Sequence, residues 1–234
     1  MLLLAIDTSG KNGSLALARV SEGHSEGEVL EVVPLAGGTF SAQLVPQITA
    51  LLAQHEATKS DLGAFAVASG PGSFTGLRVG LAAIKALAEI LQKPIAAVSL
   101  LEAIAWMSSR QGRVLAALDA GRSEIYVGDY EVARKTSDAH PSNALPHMYS
   151  ERLLSKEEFL AEAKYSAVLT PDPGPAELLL SAGIPCEQIN RPDGGVIAHL
   201  GWEHILRAHI VQPDDLEANY IRRSDAEIFS QPPR

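Results

Sequence analysis

The sequence predicts an α/β protein of two lobes, each of which opens with a meander of strands. The first observation is a short apolar run at residues 2–6, typical of a strand buried on both faces of a sheet. The second is the Asn12-Gly13 pair that follows, a strong short-range signal for a β-hairpin. The third is the return of this pattern near residue 114, where an apolar run leads into a tight turn and an alternating strand.

The first half of the chain predicts three strands before any helix, and then alternating helices and strands. Leu44, Ile48 and Leu51 are spaced as one stripe of a helix over 41–55, with Pro46 in or near its first turn. The predicted strands are 2–6, 14–20, 28–34, 64–69 and 95–98. The predicted helices are 41–55, 76–91 and one that begins after residue 99.

The second half predicts strands over 114–118, 124–130 and 167–170, and helices over 177–182 and 196–209. Residues 134–150 are rich in Ser, His, Asn and Pro, which indicates a long loop or an irregular edge segment. Two serines stand three residues before a glutamate at predicted helix starts, Ser99 before Glu102 and Ser155 before Glu158. This is the spacing of a capping box, so both helices are expected to begin with one.

Composition and charge restrict the classes of function. The 234 residues include 19 lysines and arginines against 28 aspartates and glutamates, a net charge of −9. Most of the surface should repel nucleic-acid phosphates, so direct binding of RNA or DNA is expected to be weak. The single cysteine, Cys186, allows no internal disulfide and fits a reducing compartment. The apolar N-terminus runs into Asp7 without a basic leader, which predicts a soluble, cytoplasmic protein with no signal peptide or membrane span.

Asp7-Thr8-Ser9 stands where the first buried strand gives way to the hairpin, and it has two interpretations. A carboxylate at this position could hold Mg²⁺ while backbone N–H groups and hydroxyls face a phosphate. The alternative is an Asx turn, in which Asp7 and Ser9 satisfy nearby backbone groups. The residues alone favour the turn.

The segment 70–76, Gly-Pro-Gly-Ser-Phe-Thr-Gly, also has two interpretations. Its three glycines permit close approach of another backbone, and Ser73 or Thr75 can cap the helix that follows. The N–H groups at that helix start could bind an anion. However, the segment lacks the Gly-Lys ending of a P-loop and the spacing of a Rossmann fingerprint. A structural elbow is slightly favoured over a phosphate-binding loop.

The helix predicted over 76–91 is apolar nearly all the way round. Its three charged residues, Arg78, Lys85 and Glu89, lie close to one stripe, and one buried face cannot account for the remaining apolar residues. Gly76 and Gly80 form a small-residue strip that permits another backbone to come close. Such a helix is either central to the core or covered by the core on one side and a partner on the other, and the second interpretation is favoured.

No familiar pattern of metal ligands or nucleophiles is present. No two of the seven histidines are four residues apart. His199, His204 and His209 follow each other at five residues, about 140° around a helix, so they cannot share one metal ion. Neither a Gly-x-Ser-x-Gly elbow nor a cysteine–histidine spacing points to a nucleophile. The sequence therefore predicts no catalytic residues, no metal and no cofactor.

Four segments taken together resemble one family. They are Asp7-Thr8-Ser9, the nine residues 70–78, residues 99–103 and residues 119–126, in this order. They are similar to the TsaB (YeaZ) family, accessory proteins in the formation of threonylcarbamoyladenosine (t6A) in tRNA. The resemblance covers most of residues 1–130, is weak over 131–211 and returns near Asn219-Tyr220.

The resemblance implies the actin-like ASKHA fold, which is related to ribonuclease H. It implies an N-terminal lobe over 1–105 and a C-terminal lobe over 106–211, with the segment near 212–225 as a candidate to rejoin the first lobe. It also implies a degenerate nucleotide site, whose motif residues would be Asp7, Thr8, Ser9, Gly70, Gly72 and Ser73.

The resemblance further implies a subunit that is not itself an enzyme. Such a subunit would bind and stabilise the transferase TsaD, help to recruit the ATPase TsaE, form a homodimer when alone and meet tRNA only through the complex. The first two helices would form the partner interface, through Leu44, Ile48, Leu51, Gly76, Leu77, Gly80, Leu81, Ile84 and Leu87. The alternative from a different class is a small actin-like phosphotransferase or ATPase that uses Asp7 and the 70–76 loop.

Overall fold

The structure is a computed structural model that describes residues 1–21, 27–133 and 144–221, and it contains two five-stranded sheets. The strands of the first sheet are β1 (Leu2–Asp7), β2 (Gly13–Arg19), β3 (Glu28–Leu35), β4 (Leu62–Gly70) and β5 (Ile95–Ser99). Those of the second are β6 (Gly112–Gly121), β7 (Glu124–Val132), β8 (His147–Ser155), β9 (Ala167–Thr170) and β10 (Cys186–Gln188). The helices are α1 (Phe40–Gln54), α2 (Phe74–Leu91), α3 (Leu100–Trp106), α4 (Lys156–Ala163), α5 (Pro173–Ser181) and α6 (Gly194–Leu206).

The two sheets have the same topology. The strand order is β3-β2-β1-β4-β5 in the first and β8-β7-β6-β9-β10 in the second. In each sheet the first three strands form an antiparallel meander, and the last two strands run parallel to the first. The predicted fold class, an α/β protein whose two lobes each open with a strand meander, is confirmed.

The helices cover both faces of each sheet, which explains the apolar run at the N-terminus. Leu4 and Ile6 of β1 pack in the core beneath α1 and α2, whereas Leu3 and Ala5 face the opposite core, which contains α6. In the second sheet, the side chains of β6 likewise alternate between the core that contains α3 and the core that contains the outer helices α4 and α5. Helices α3 and α6 therefore lie between the two sheets.

The carboxylate of Glu151 is one of the contacts between the second lobe and the first. The side chains of Ser99, Tyr130 and Asn219 all donate hydrogen bonds to Glu151 of β8. The backbone N–H of Asn219 also donates to the carbonyl of Ser69, at 2.7 Å. Residues 211–221 thus return to the first lobe after α6, and α6 itself packs on the first sheet. The lobe boundaries at 105 and 211 stay a prediction.

Helix α1 tolerates a proline in its interior. The sequence placed Pro46 in or near the first turn, but the helix begins at Phe40, so Pro46 lies in the second turn. The ring removes a hydrogen bond to the carbonyl four residues earlier, that of Ala42. Ala42 and Pro46 are both exposed, so water can reach the carbonyl that lost its helical donor.

Of the two predicted capping boxes, one is confirmed and one is wrong. At α4, Glu158 N–H donates to Ser155 Oγ at 3.2 Å and Ser155 N–H donates to the Glu158 carboxylate at 2.8 Å. At α3, the Ser99 hydroxyl caps the helix, but both carboxylate oxygens of Glu102 lie 3.0 Å from Nε2 of His204 on α6. Glu102 is buried between the lobes, so it takes a partner there and not at its own helix start.

The segment 134–150, predicted as a loop or an irregular edge, ends in a regular strand. Its last four residues belong to β8, which forms the edge of the second sheet, while 134–143 lie outside the described residues. Strand β10 was not predicted, because three residues are too few for alternation to be recognised. None of the described helices is long and apolar enough to cross a membrane.

Candidate functional site

The turn after β1 is buried and is held by its own hydrogen bonds. Asp7, Thr8 and Ser9 are each at most 2% exposed. The N–H of Ser9 donates to Oδ1 of Asp7 at 2.8 Å, which is the Asx turn that the residues favoured. The Thr8 hydroxyl donates to the carbonyl of Gly76 at 2.8 Å. The side chains of Asp7 and Thr8 and the backbone of Ser9 therefore contribute to the fold.

The glycine-rich loop packs directly on this turn. The N–H of Ser73 donates to the carbonyl of Ser9 at 2.7 Å, and a Cβ on Gly72 would overlap the same carbonyl. The Ser73 hydroxyl accepts from the N–H of Gly76 at 3.3 Å and caps α2. Gly70 is the last residue of β4 and begins this loop, so the structure brings together all six residues of the predicted nucleotide-site motif. Their contacts with one another are those of a structural elbow.

Sequence reasoning missed Arg191, which crosses from the second lobe to the Asp7 turn. A Cβ placed on Gly10 would lie 3.1 Å from Nε of Arg191. The guanidinium pairs with Asp172 at 3.3 Å, and the other carboxylate oxygen of Asp172 accepts from the N–H of Asp119 at 2.9 Å. The available signal was the pair of Asp/Pro/Gly-rich stretches around 172 and 193, which precede α5 and α6. This cluster brings a fixed positive charge to the turn.

The protonation of Asp7 reflects these surroundings. Burial raises the pKa of Asp7 above its usual value, while hydrogen bonds from Ser9 and the charge of Arg191 act in the opposite direction. The folded protein therefore holds a proton on Asp7 more tightly than the unfolded chain does. The contribution of Asp7 to stability must fall as pH rises from its unfolded pKa through its raised folded pKa.

Replacing Asp7 with asparagine should therefore stabilise the protein at pH 8 and not at pH 4. Asparagine keeps an oxygen for the Ser9 N–H but carries no charge to bury, so the expected gain at pH 8 is about 1 kcal/mol. Thermal unfolding at both pH values measures the difference. Asp214→Asn, which changes an exposed carboxylate, is the control and should show no such trend. A loss of stability in Asp7→Asn at pH 8 would mean that the charge itself is stabilising.

The predicted absence of a metal site or cofactor stays a prediction. Among the described residues, no three His, Cys, Asp or Glu side chains are grouped so that they could hold a metal ion. His24 and His140 lie outside the described residues, as does Arg222 of the C-terminal segment.

The residues predicted for a partner interface require a correction. Eight of the nine are buried inside the first lobe: Leu44, Ile48, Leu51, Gly76, Leu77, Gly80, Leu81 and Ile84. Leu87 is partly buried and packs against the same core. The leucines and isoleucines of this set are among the larger apolar side chains of each helix, so the lobe gains most by turning them toward the sheet. Partner binding by the helix pair stays a prediction, and most of these side chains are buried within the lobe in the chain alone.

Gly76 and Gly80 do permit the close approach of another backbone, and that backbone belongs to this chain. A Cβ on Gly76 would overlap the carbonyl oxygen of Thr8, and a Cβ on Gly80 would overlap the Thr8 hydroxyl. The small-residue strip therefore lets α2 lie against the end of β1. A bulky residue at either position should disturb the lobe itself.

A different apolar surface of the two helices is exposed. It is a groove of about 480 Å³ between α1 and α2, here called the α1–α2 groove. Val45 is 66% exposed and Phe74 41% exposed, and these two residues line the groove with Arg78, Val79, Ala82 and Ala83. A second hollow, of about 420 Å³, shares Ser41, Thr75 and Val79 with it and extends toward the turn at residues 9–11. Helix α2 thus has the sheet on one side and a concave apolar surface on the other.

The comparisons with known proteins agree with this architecture. The family model "TsaD: tRNA N6-adenosine threonylcarbamoyltransferase" matches residues 32–183. The Bacillus subtilis protein named tRNA threonylcarbamoyladenosine biosynthesis protein TsaB is 35% identical over 132 residues, which are 56% of this chain and 56% of that protein, so the match spans about half of its length. The Haemophilus influenzae protein of the same name is 26% identical over 95% of this chain and 94% of its own.

A solved structure extends the likeness to nearly the whole chain. YeaZ from Pseudomonas aeruginosa superposes with a TM-score of 0.73 at 25% identity, over 94% of this chain and 99% of that one. Two lobes with one repeated sheet order, joined around a buried aspartate turn, define a protein of the actin-like ASKHA class. The chain belongs to the TsaD family, and it is similar in sequence and in structure to the TsaB (YeaZ) proteins.

Proposed function

We propose that this chain is a non-catalytic scaffold subunit for the formation of t6A in tRNA. In this role it binds and stabilises the transferase TsaD and helps to recruit the ATPase TsaE. Alone, it self-associates through the same surface, and it meets tRNA only through the complex. The observation that carries the proposal is the exposed α1–α2 groove on a helix pair whose opposite side is already packed against the sheet.

The shape and chemistry of the groove support protein binding. Its lining is mostly apolar, with the hydroxyls of Ser41 and Thr75 and one arginine, and aromatic residues and arginine are enriched at the centres of protein interfaces. Ala82 and Ala83 are small, so they leave room for the ridge of a partner helix. Farther along α2, Ile90 is 72% exposed, which extends the apolar surface beyond the groove.

The Asp7 turn supports a non-catalytic role. Here the glycine loop bonds to the turn directly, and the Arg191 guanidinium lies against Gly10. These contacts favour the scaffold over a phosphotransferase that uses Asp7 and the 70–76 loop.

Omitting the chain from a reconstituted reaction tests the proposal. TsaD and TsaE of the same organism, supplied with threonylcarbamoyl adenylate, ATP and tRNA, should form t6A at a background rate without the chain and rapidly with it. Nucleoside analysis of the digested tRNA measures the product. An equal rate with and without the chain would refute the proposal. Heat released when ATP and Mg²⁺ are titrated into the chain alone would instead support the phosphotransferase.

A further inference from the structure

Arg78 is held in a fixed orientation at the rim of the α1–α2 groove. Its guanidinium carbon lies 3.7 Å from the centre of the Phe74 ring, a stacking distance. Its Nε–H donates to the hydroxyl of Tyr220 at 3.3 Å, and the rings of Phe74 and Tyr220 are 5.4 Å apart. Tyr220 follows Asn219, which Glu151 and Ser69 hold in place. Two aromatic rings thus hold an exposed arginine in one orientation before any partner arrives. Less side-chain conformational entropy is therefore lost when it binds.

The outer end of the Arg78 guanidinium is left without a partner. Within the ranges that the structure describes, Nη1 and Nη2 make no hydrogen bond or ion pair. These two amino groups form a planar fork that matches the two oxygens of a carboxylate. Arg78 also lines the groove itself, so a carboxylate bound there would lie beside the apolar surface.

The net charge of the helix pair is positive, whereas that of the whole chain is negative. The chain has a net charge of −9, yet α1 has no charged residue and α2 has two cations, Arg78 and Lys85, and one anion, Glu89. Glu89 is eleven residues from Arg78, about 16 Å along the helix. The α1–α2 groove is therefore a slightly positive apolar surface on an acidic protein, complementary to an apolar surface with an acidic rim.

We propose that Arg78 is a carboxylate receptor, and that the groove takes an apolar helix of a partner protein that has an aspartate or glutamate at its edge. This rests on the proposed function, because it specifies the chemistry by which the scaffold recognises its partner. A second copy of the chain fits less well, since it offers its own Arg78 and Lys85 where the receptor needs an anion. The partner complex should accordingly be tighter than the self-association.

Calorimetric titration of the chain with TsaD from the same organism, at low and high salt, tests this inference. Arg78→Gln should weaken binding roughly tenfold or more and flatten its salt dependence. Arg78→Lys keeps the positive charge but not the planar fork, so its affinity for TsaD should lie between those of the parent chain and Arg78→Gln. Tyr220→Phe removes the acceptor that orients Nε and should cause a smaller loss. Arg110→Gln changes net charge equally at an exposed arginine before β6, and it should bind as the unaltered chain does.

The outcomes separate the inference from the proposed function. Unaltered binding and salt dependence in Arg78→Gln, with tight binding by the parent chain, would refute the carboxylate receptor and leave the scaffold intact. No binding by the parent chain would refute both. Self-association that is tighter than the TsaD complex and is weakened by Arg78→Gln would show that the groove takes a second copy. Circular dichroism of each variant establishes that the fold is retained.

Discussion

Replacing Gly76 with alanine should destabilise the protein by about 3 kcal/mol, which lowers the melting temperature of a chain of this size by roughly 6–12 °C. The added methyl group would overlap the carbonyl oxygen of Thr8. That carbonyl belongs to a buried turn, and the Thr8 hydroxyl ties the same turn to the Gly76 carbonyl. Neither backbone can shift without disturbing the core beneath α2. The loss should therefore exceed the small gain in helix propensity that alanine brings.

The matched control for this substitution is Gly183→Ala. Gly183 follows α5, has a φ of +72° and has no atom within 4 Å of an added Cβ. Its replacement should cost only the backbone strain, about 1 kcal/mol. Thermal unfolding of the two variants and the parent gives both losses. Equal losses would contradict the close packing of α2 on the Asp7 turn.

Replacing Val45 with aspartate should weaken TsaD binding by about 100-fold or more and leave the chain folded. Val45 is 66% exposed in the chain alone, so the substitution should change stability by about 0.5 kcal/mol or less. In a complex that fills the α1–α2 groove, the new carboxylate would be buried against apolar side chains without a partner. Calorimetric titration measures the affinity, and thermal unfolding measures the stability.

Leu180→Asp is the matched control for Val45→Asp. Leu180 is an apolar residue on α5 of the second lobe and is 78% exposed, so the change in chemistry and charge is the same. It should bind TsaD as the parent chain does. If both variants bind equally well, the groove is not the interface.

The sequence was informative wherever structure depends on neighbours along the chain. The run at residues 2–6 predicted a doubly buried strand, because every residue of such a strand must be apolar, and Leu3 and Leu4 lie in opposite cores. The Asn12-Gly13 pair correctly predicted a hairpin of β1 and β2, although Gly13 is already the first residue of β2 and not part of a two-residue turn. The Ser155/Glu158 capping box also followed from local geometry. The family resemblance implied that the Asp7 turn and the glycine loop form one site, and the two segments follow β1 and β4, which lie side by side.

The orientation of α2 could not be predicted from its own residues. Apolar side chains lie all round it, so periodicity did not distinguish the stripe of Leu77, Leu81 and Ile84 from that of Val79 and Ala83. The larger residues pack against the sheet, and this packing sets the orientation of the helix. For this reason the prediction of a helix covered on both sides stays a proposal, while most of the side chains named for the interface are buried within the lobe.

The polar contacts between residues far apart in the chain could not be predicted from the sequence either. Arg191 is 181 residues from Gly10 and Glu151 is 52 from Ser99, and each contact forms only because the two lobes meet. Glu102 shows that the partner of such a residue cannot be predicted from its near neighbours in the sequence. Its spacing from Ser99 suggested a cap, but burial between the lobes gave it His204 as a partner.

Light scattering after size exclusion, on the chain mixed with TsaD of the same organism, tests the central claim most directly. We predict one peak with the mass of a complex that contains both proteins, formed as any self-associated chain is replaced. The Val45→Asp variant should elute separately from TsaD under the same conditions. Two separate peaks from the unaltered proteins would contradict the scaffold function and leave only the fold in common with the family.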